Sequence, residues 1–196
     1  MINALQKKIN KTLATAIDNA SGEYYLVRHS PLLYKAIKSF LTKGGKRIRP
    51  LLLIISYHGY AKKPSNTIFH GATGFELLHN CSIIHDDIID DTPMRRHLPS
   101  MHQYLAVKLK SHAGRHCSGV NLALVVGDIL YSLGIKELLK MKMPPDRINT
   151  ALRFLLDAAT YTGIGEFKEL VATTKPISSF TKKEIYSIYN LKTVII

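Results

Sequence analysis

A chain of 196 residues is long enough for one sizeable domain with a real core, and its apolar fraction of 46% is ordinary for a globular protein. A formal net charge of +13 is not ordinary and points to a polyanionic ligand, an acidic partner or an anionic surface. Two cysteines (Cys81 and Cys117) exclude a disulfide framework, the first residues lack the apolar core of a signal peptide, and the apolar run Val120 to Ile135 carries Asp128 and is short for a membrane span, so a cytoplasmic protein is expected.

The dominant period is helical. Apolar pairs at Leu32/Leu33, Ala36/Ile37 and Phe40/Leu41 predict a helix over 31–41, capped by Ser30, opened by Pro31 and stopped by Gly44 and Gly45. Pro50 is expected to open the next helix, to about Tyr60. Pro64 and Ser65 mark a turn, and a long helix runs from about Asn66 into an acidic segment that Pro93 ends. A helix is expected over 101–109, a loop over 111–119, and a central apolar helix over 120–140, in which Gly127 and Gly134 lie nearly on one face and admit a close helix neighbour. Pro144 and Pro145 break the chain, Asp146 is expected to cap a helix to about Val171, and Thr181 with Glu184 forms a capping box for a last helix. His112, His116 and Cys117 read as loop rather than a soft-metal site. No strand alternation, repeat or linker is visible. The expected architecture is all-α: one domain, residues 1–196, of long helices around an apolar centre.

The chemistry concentrates in Leu77-Leu78-His79-Asn80-Cys81-Ser82-Ile83-Ile84-His85-Asp86-Asp87-Ile88-Ile89-Asp90-Asp91. Four carboxylates end an apolar run, and helical spacing puts Asp86 over Asp90 and Asp87 over Asp91. Like charges so close destabilise a helix unless a cation lies between them. Mg2+ typically joins one or two carboxylates to substrate phosphates, so the segment reads as a Mg2+–diphosphate site. His79 lies nearly two turns before Asp86 on the same face, about 10 Å along the axis. Two basic clusters accompany it: Lys43-Gly44-Gly45-Lys46-Arg47-Ile48-Arg49-Pro50 and Thr92-Pro93-Met94-Arg95-Arg96. Arginine forks and lysine point charges are the side chains that grip phosphates, and glycines let the main chain approach an anion.

The order GGKRIRP, a helix ending HDDIIDD, an Arg pair and a late Lys-Thr pair resembles the trans-type isoprenyl diphosphate synthases, from about Lys43 onward. The resemblance implies an isoprenoid synthase-like helical fold and the condensation of isopentenyl diphosphate with an allylic diphosphate to a polyprenyl diphosphate. It implies that Asp86, Asp87 and Asp90 hold Mg2+ on the allylic diphosphate, supported by Arg95, Lys192 and Thr193. Gly45, Lys46, Arg49, His79 and Arg96 match the isopentenyl diphosphate site. It also implies a homodimer, and a lipid-like product brings such an enzyme near membrane surfaces. Cys81 and Ser82, about one turn before Asp86, are small where short-product relatives carry a bulky aromatic; a product longer than farnesyl is expected.

The chain also departs from the family pattern. A glycine commonly following the Arg pair is His97 here, and a Gly-Gln-x-x-Asp pattern reads Gly165-Glu166-Phe167-Lys168-Glu169. The family's second Asp-rich motif would follow the Lys-Thr pair, but the sequence stops at Ile196, so the C-terminal part is expected to be missing. The alternative is a non-catalytic or partner-dependent subunit. Terpene cyclisation would not need the GGKRIRP segment, and nucleic-acid binding finds no supporting motif.

Overall fold

A computed structural model describes residues 2–63, 65–95, 97–109 and 117–194, and the side chains of Ile177, Thr193 and Val194 lie outside it. Arg96, Pro64, His112 and His116, on which expectations were placed, are likewise outside the described residues, as is the Thr193 side chain. Chain contacts divide the molecule into two compact units, Met1–Lys142 and Met143–Ile196.

The first unit holds α1 (Ile2–Glu23), α2 (Leu26–His29), α3 (Pro31–Thr42), α4 (Ile48–Tyr60), α5 (Ile68–Ile89), a two-residue strand pair β1 (Met94–Arg95) and β2 (Leu98–Pro99), α6 (Met101–Leu109) and α7 (Gly119–Leu139). Among the described residues the unit is all-α apart from the strand pair. The α1 helix, which the sequence reading left unassigned, buries Ile9, Leu13, Ala16, Ile17 and Ala20 at helical spacing, while its lysines face outward. These residues join one core with Ala36, Ile37 and Leu41 of α3, Leu77, Cys81 and Ile84 of α5, Met101 and Leu105 of α6, and Ala123, Val126, Leu130 and Leu133 of α7.

The expected caps are largely present. Ser30 accepts the Leu33 N–H at 3.2 Å, with Pro31 in the first turn. The α4 helix, however, starts two residues before the expected Pro50, from Arg47 in a left-handed conformation (φ 52°). Pro50 is tolerated at the third helical position because the first four N–H groups of a helix have no intrahelical partner. The Ser118 hydroxyl caps α7.

The α5 helix corrects a second expectation. It ends at Ile89, with Asp90 as its cap and Asp91 left-handed at φ 46°. The Thr92 N–H donates to the Asp87 carbonyl at 2.9 Å and the Asp91 N–H to the Ile88 carbonyl at 3.3 Å. This is a Schellman termination with aspartate at the position glycine usually takes. Pro93 therefore follows the helix end rather than causing it, and Asp91 does not stand over Asp87 on a helix face. The chain then doubles back through the strand pair, registered Met94↔Pro99 and Arg95↔Leu98, which the sequence reading also missed.

The α5 and α7 helices make the most extensive contact in this unit, through the expected small residues. A Cβ on Gly134 would lie 2.7 Å from Leu78 Cγ, and one on Gly74 would lie 2.7 Å from the Gly134 carbonyl oxygen. Gly127 packs on the His85 ring.

The second unit holds α8 (Pro145–Ala172), a 3₁₀ turn (Ile177–Ser179), α9 (Lys182–Tyr189) and a π turn (Asn190–Val194). Asp146 does not cap α8 as expected: Pro144 takes that position and Asp146 lies in the first turn, where its charge complements the helix dipole. The Thr181–Glu184 capping box of α9 is formed as expected, with each side chain bonding the other's backbone N–H.

Candidate functional site

Three aspartates stand at the C-terminal end of α5, where exposed carbonyls already concentrate negative charge. Asp86 is half-buried and Asp90 exposed, one turn apart, with the Asp90 N–H donating to the Asp86 carbonyl at 2.8 Å. Asp87 turns the other way and is wholly buried. The strand pair brings Arg95 back over it: Arg95 Nε donates to Asp87 Oδ1 at 2.7 Å, and Nη2 lies 2.5 Å from the same oxygen. The Asp87 hydrogen bond raises the Arg95 pKa against the opposing pull of burial, and the Asp86 and Asp90 charges add to the rise.

The residues fit a hard divalent cation. Every candidate donor at this helix end is a carboxylate oxygen, and Asp87 Oδ2 is buried with no hydrogen-bond partner among the described residues. Among the described residues no group of three or more His, Cys, Asp or Glu side chains is arranged to hold a metal ion by itself.

The basic loop lies between α3 and α4. Gly44 (φ 97°) and Gly45 (φ 148°) take conformations that favour glycine. Arg49 Nη1 lies 3.2 Å from His79 Nε2, and since arginine has no acceptor a hydrogen bond between them has the guanidinium as donor. Two residues expected at one diphosphate site are thus in contact. Lys46 is exposed beside them.

Other assignments differ in placement. Ser82 is exposed, one turn before Asp86, but Cys81 packs into the core. Burial and the Asp128 and Asp86 charges push the Cys81 thiol up to about 11. His85 faces α7, with Nε2 3.8 Å from Asp128 Oδ1. In the second unit Lys192 Nζ lies 2.6 Å from Glu166 Oε2 and 2.5 Å from Glu169 Oε2. Burial opposes its charge, but the two carboxylates outweigh it and hold the ammonium well above its usual pKa.

The sequence reading passed over Arg47, Glu76 and Asn80, which form a buried polar group next to this site. The legible signal was a lone carboxylate, Glu76, inside an apolar helical run. A small open cleft beside it is lined by residues including Lys43, Asn80, Ile83, Arg95 and Tyr104.

Known proteins resemble this chain over nearly its whole length. The family model described as Polyprenyl synthetase matches residues 30–195. A geranylgeranyl diphosphate synthase of Methanosarcina mazei is 29% identical over 186 residues, covering 95% of this chain and 52% of that protein. A heterodimeric geranylgeranyl pyrophosphate synthase small subunit of Arabidopsis thaliana is 28% identical over 183 residues, 88% of this chain and 52% of that protein. The crystal structure of a geranylgeranyl pyrophosphate synthetase from Pyrococcus horikoshii superposes with a TM-score of 0.73 at 26% identity, covering 97% of this chain and 54% of the other. The chain spans about half the length of these relatives. With the family model covering all but the first helices, and with Asp-rich, Arg and Gly-Lys-Arg segments in place, this chain belongs to the polyprenyl synthetase family.

Proposed function

We propose that this chain carries the diphosphate-binding half of a trans-prenyltransferase, which condenses isopentenyl diphosphate with an allylic diphosphate. The observation that carries the reading is the end of α5, where Asp86 and Asp90 present carboxylates and Asp87 anchors Arg95, with His79, the partner of Arg49, nearly two turns earlier on the same helix.

Asp86 and Asp90, with Asp87 beside them, would hold Mg2+ bound to the allylic diphosphate. The bound ion supplies Lewis-acid neutralisation of the departing diphosphate. Arg95, fixed by Asp87, directs its remaining N–H groups toward the same oxygens. Lys192, paired with Glu166 and Glu169, matches with Thr193 the Lys-Thr pair of the family. Lys46, Arg49 and His79, with Gly45 shaping the loop, hold isopentenyl diphosphate, and Arg96 joins them. The allylic C–O bond breaks and its electron pair leaves on the diphosphate. The isopentenyl double bond supplies the pair for the new C–C bond, and the proton lost from the neighbouring carbon passes to the released diphosphate. The carboxylates and cations act by preorganised charge, which is worth most in a site that excludes water.

Ser82, small and on the face of Asp86, supports a product longer than farnesyl, in the medium or long range; Cys81 acts only by leaving the core behind it uncrowded. The reading extends to a cytoplasmic homodimer whose product draws it to membrane surfaces. No helix among the described residues is long and apolar enough to cross a membrane.

The test is turnover of the chain with Mg2+, isopentenyl diphosphate and farnesyl diphosphate, products read by mass spectrometry. Elongated products that vanish in Asp86→Ala support the reading. Absence of product both from this chain and from a fusion that adds the remaining half of a full-length relative contradicts it.

A further inference from the structure

Arg47 sits in the middle of the basic loop yet presents nothing to an anion. It is 3% exposed, and every arm of its guanidinium is engaged within the protein. Nη1 donates to Glu76 Oε1 at 2.6 Å, Nε to Asn10 Oδ1 at 2.8 Å and Nη2 to the Leu41 carbonyl at 2.6 Å. Its backbone is left-handed at φ 52°, a strained conformation for a non-glycine residue that persists only where surrounding contacts impose it. On either side, Lys46 and Arg49 are exposed.

The anchoring reaches two other helices. On α1, Gln6 and Asn10 stand one turn apart; Gln6 Nε2 donates to the Lys46 carbonyl at 2.9 Å while Asn10 takes the Arg47 Nε–H. On α5, Glu76 is held by Asn80, whose Nδ2 donates to the Glu76 carbonyl at 2.6 Å and to Oε1 at 3.2 Å. Glu76 lies three residues before His79, the partner of Arg49. The loop is therefore fastened from outside by α1 and from inside by α5, with Arg47 as the pin.

We infer that Arg47, with Glu76 and with Gln6 and Asn10 of α1, is a positioning residue that holds Lys46 and Arg49 in register with His79, so that the N-terminal helix sets the affinity of the isopentenyl diphosphate site. The inference rests on the function proposed above. Two long cationic side chains on a glycine loop have many arrangements, and fixing their backbone beforehand lowers the entropy that binding must overcome. Stability alone does not account for the pair. Buried ion pairs are weak stabilisers, and apolar replacements of similar volume are often neutral or better. A geometric role is what an apolar replacement cannot supply.

Two variants separate geometry from folding. Arg47→Met with Glu76→Leu removes both buried charges together and strands neither. Gln6→Ala with Asn10→Ala touches only the outer fastening. Calorimetry on the full chain would measure two dissociation constants: that of isopentenyl diphosphate, and that of an unreactive farnesyl thiodiphosphate in Mg2+. Thermal melts are recorded alongside. Both double variants are expected to fold and to bind isopentenyl diphosphate at least tenfold more weakly, with farnesyl thiodiphosphate affinity unchanged. An unchanged isopentenyl diphosphate affinity, or equal weakening of both ligands, overturns the inference. If the parent chain binds both ligands and the variants match it, only this inference fails; if the parent binds neither, the proposed function fails and the inference with it.

Discussion

Replacing Gly74 by alanine tests the helix contact that supports the carboxylate end of α5. In a helix interior alanine is favoured over glycine by about 1 kcal/mol, so local propensity predicts stabilisation. The packing predicts the reverse. The new Cβ would lie 2.7 Å from the Gly134 carbonyl oxygen and 2.9 Å from Leu138 Cγ. The first of these is backbone, so no side-chain rotation relieves it; α5 and α7 must separate by a few tenths of an ångström along a contact that contains much of the core. Overpacking of this kind costs about 1–3 kcal/mol, and the helix gain offsets only part of it. The net expectation is a loss of up to about 2 kcal/mol, which for a chain of this size lowers Tm by up to roughly 8 °C. Gly59→Ala is the control. Its Cβ meets nothing within 4 Å, so the same substitution there should stabilise by about 0.4–1 kcal/mol. Thermal and urea unfolding of the two variants decide the matter. A Gly74→Ala chain at least as stable as the parent would refute the account of the α5–α7 contact.

Further expectations follow from single side chains. His97 sits at φ 62°, so His97→Gly should stabilise by about 1 kcal/mol in urea unfolding; a loss of stability contradicts a strained turn. Cys81 is buried with its thiol pushed up to about 11 and Cys117 is exposed, so iodoacetamide at pH 8 should label Cys117 first, and equal rates contradict the burial of Cys81. The Thr181 backbone N–H and hydroxyl hold the Glu184 carboxylate below its ordinary pKa of 4.5. A depressed carboxylate contributes stability above its unfolded pKa and loses it as pH falls through the folded one. Hydrogen-exchange protection of α9 should thus be pH-independent above 4.5 and fall below it; Thr181→Ala, which removes the hydroxyl and keeps the backbone N–H, should weaken that dependence, and Glu184→Gln should abolish it.

Elements with local causes were legible in the sequence. Ser30 with Pro31 marks the start of α3, the Thr181–Glu184 box marks α9, and the apolar run of 101–109 gave α6 to the residue. What remained hidden depends on partners far along the chain or on conformations the residue type does not announce. The end of α5 is set by a left-handed aspartate where a glycine would have been the visible signal. The strand pair is too short to show alternation, yet it brings Arg95 onto Asp87. Arg47 read as one more cation of the phosphate-gripping loop because its partners Asn10 and Glu76 lie 37 and 29 residues away. The aspartates, Arg95, Arg49 and His79 were found as types in a pattern. Their division of labour, with Asp87 inward on Arg95 and Asp86 and Asp90 outward, came only from the fold.

That division makes the most direct test a binding one. Farnesyl thiodiphosphate and isopentenyl diphosphate would each be titrated into the chain by calorimetry, with Mg2+ and with EDTA, in the parent and in Asp86→Ala. The account predicts that the allylic analogue binds only with Mg2+ and is lost in Asp86→Ala, while isopentenyl diphosphate binds in all four conditions. Allylic binding that is indifferent to both Mg2+ and Asp86 would contradict it.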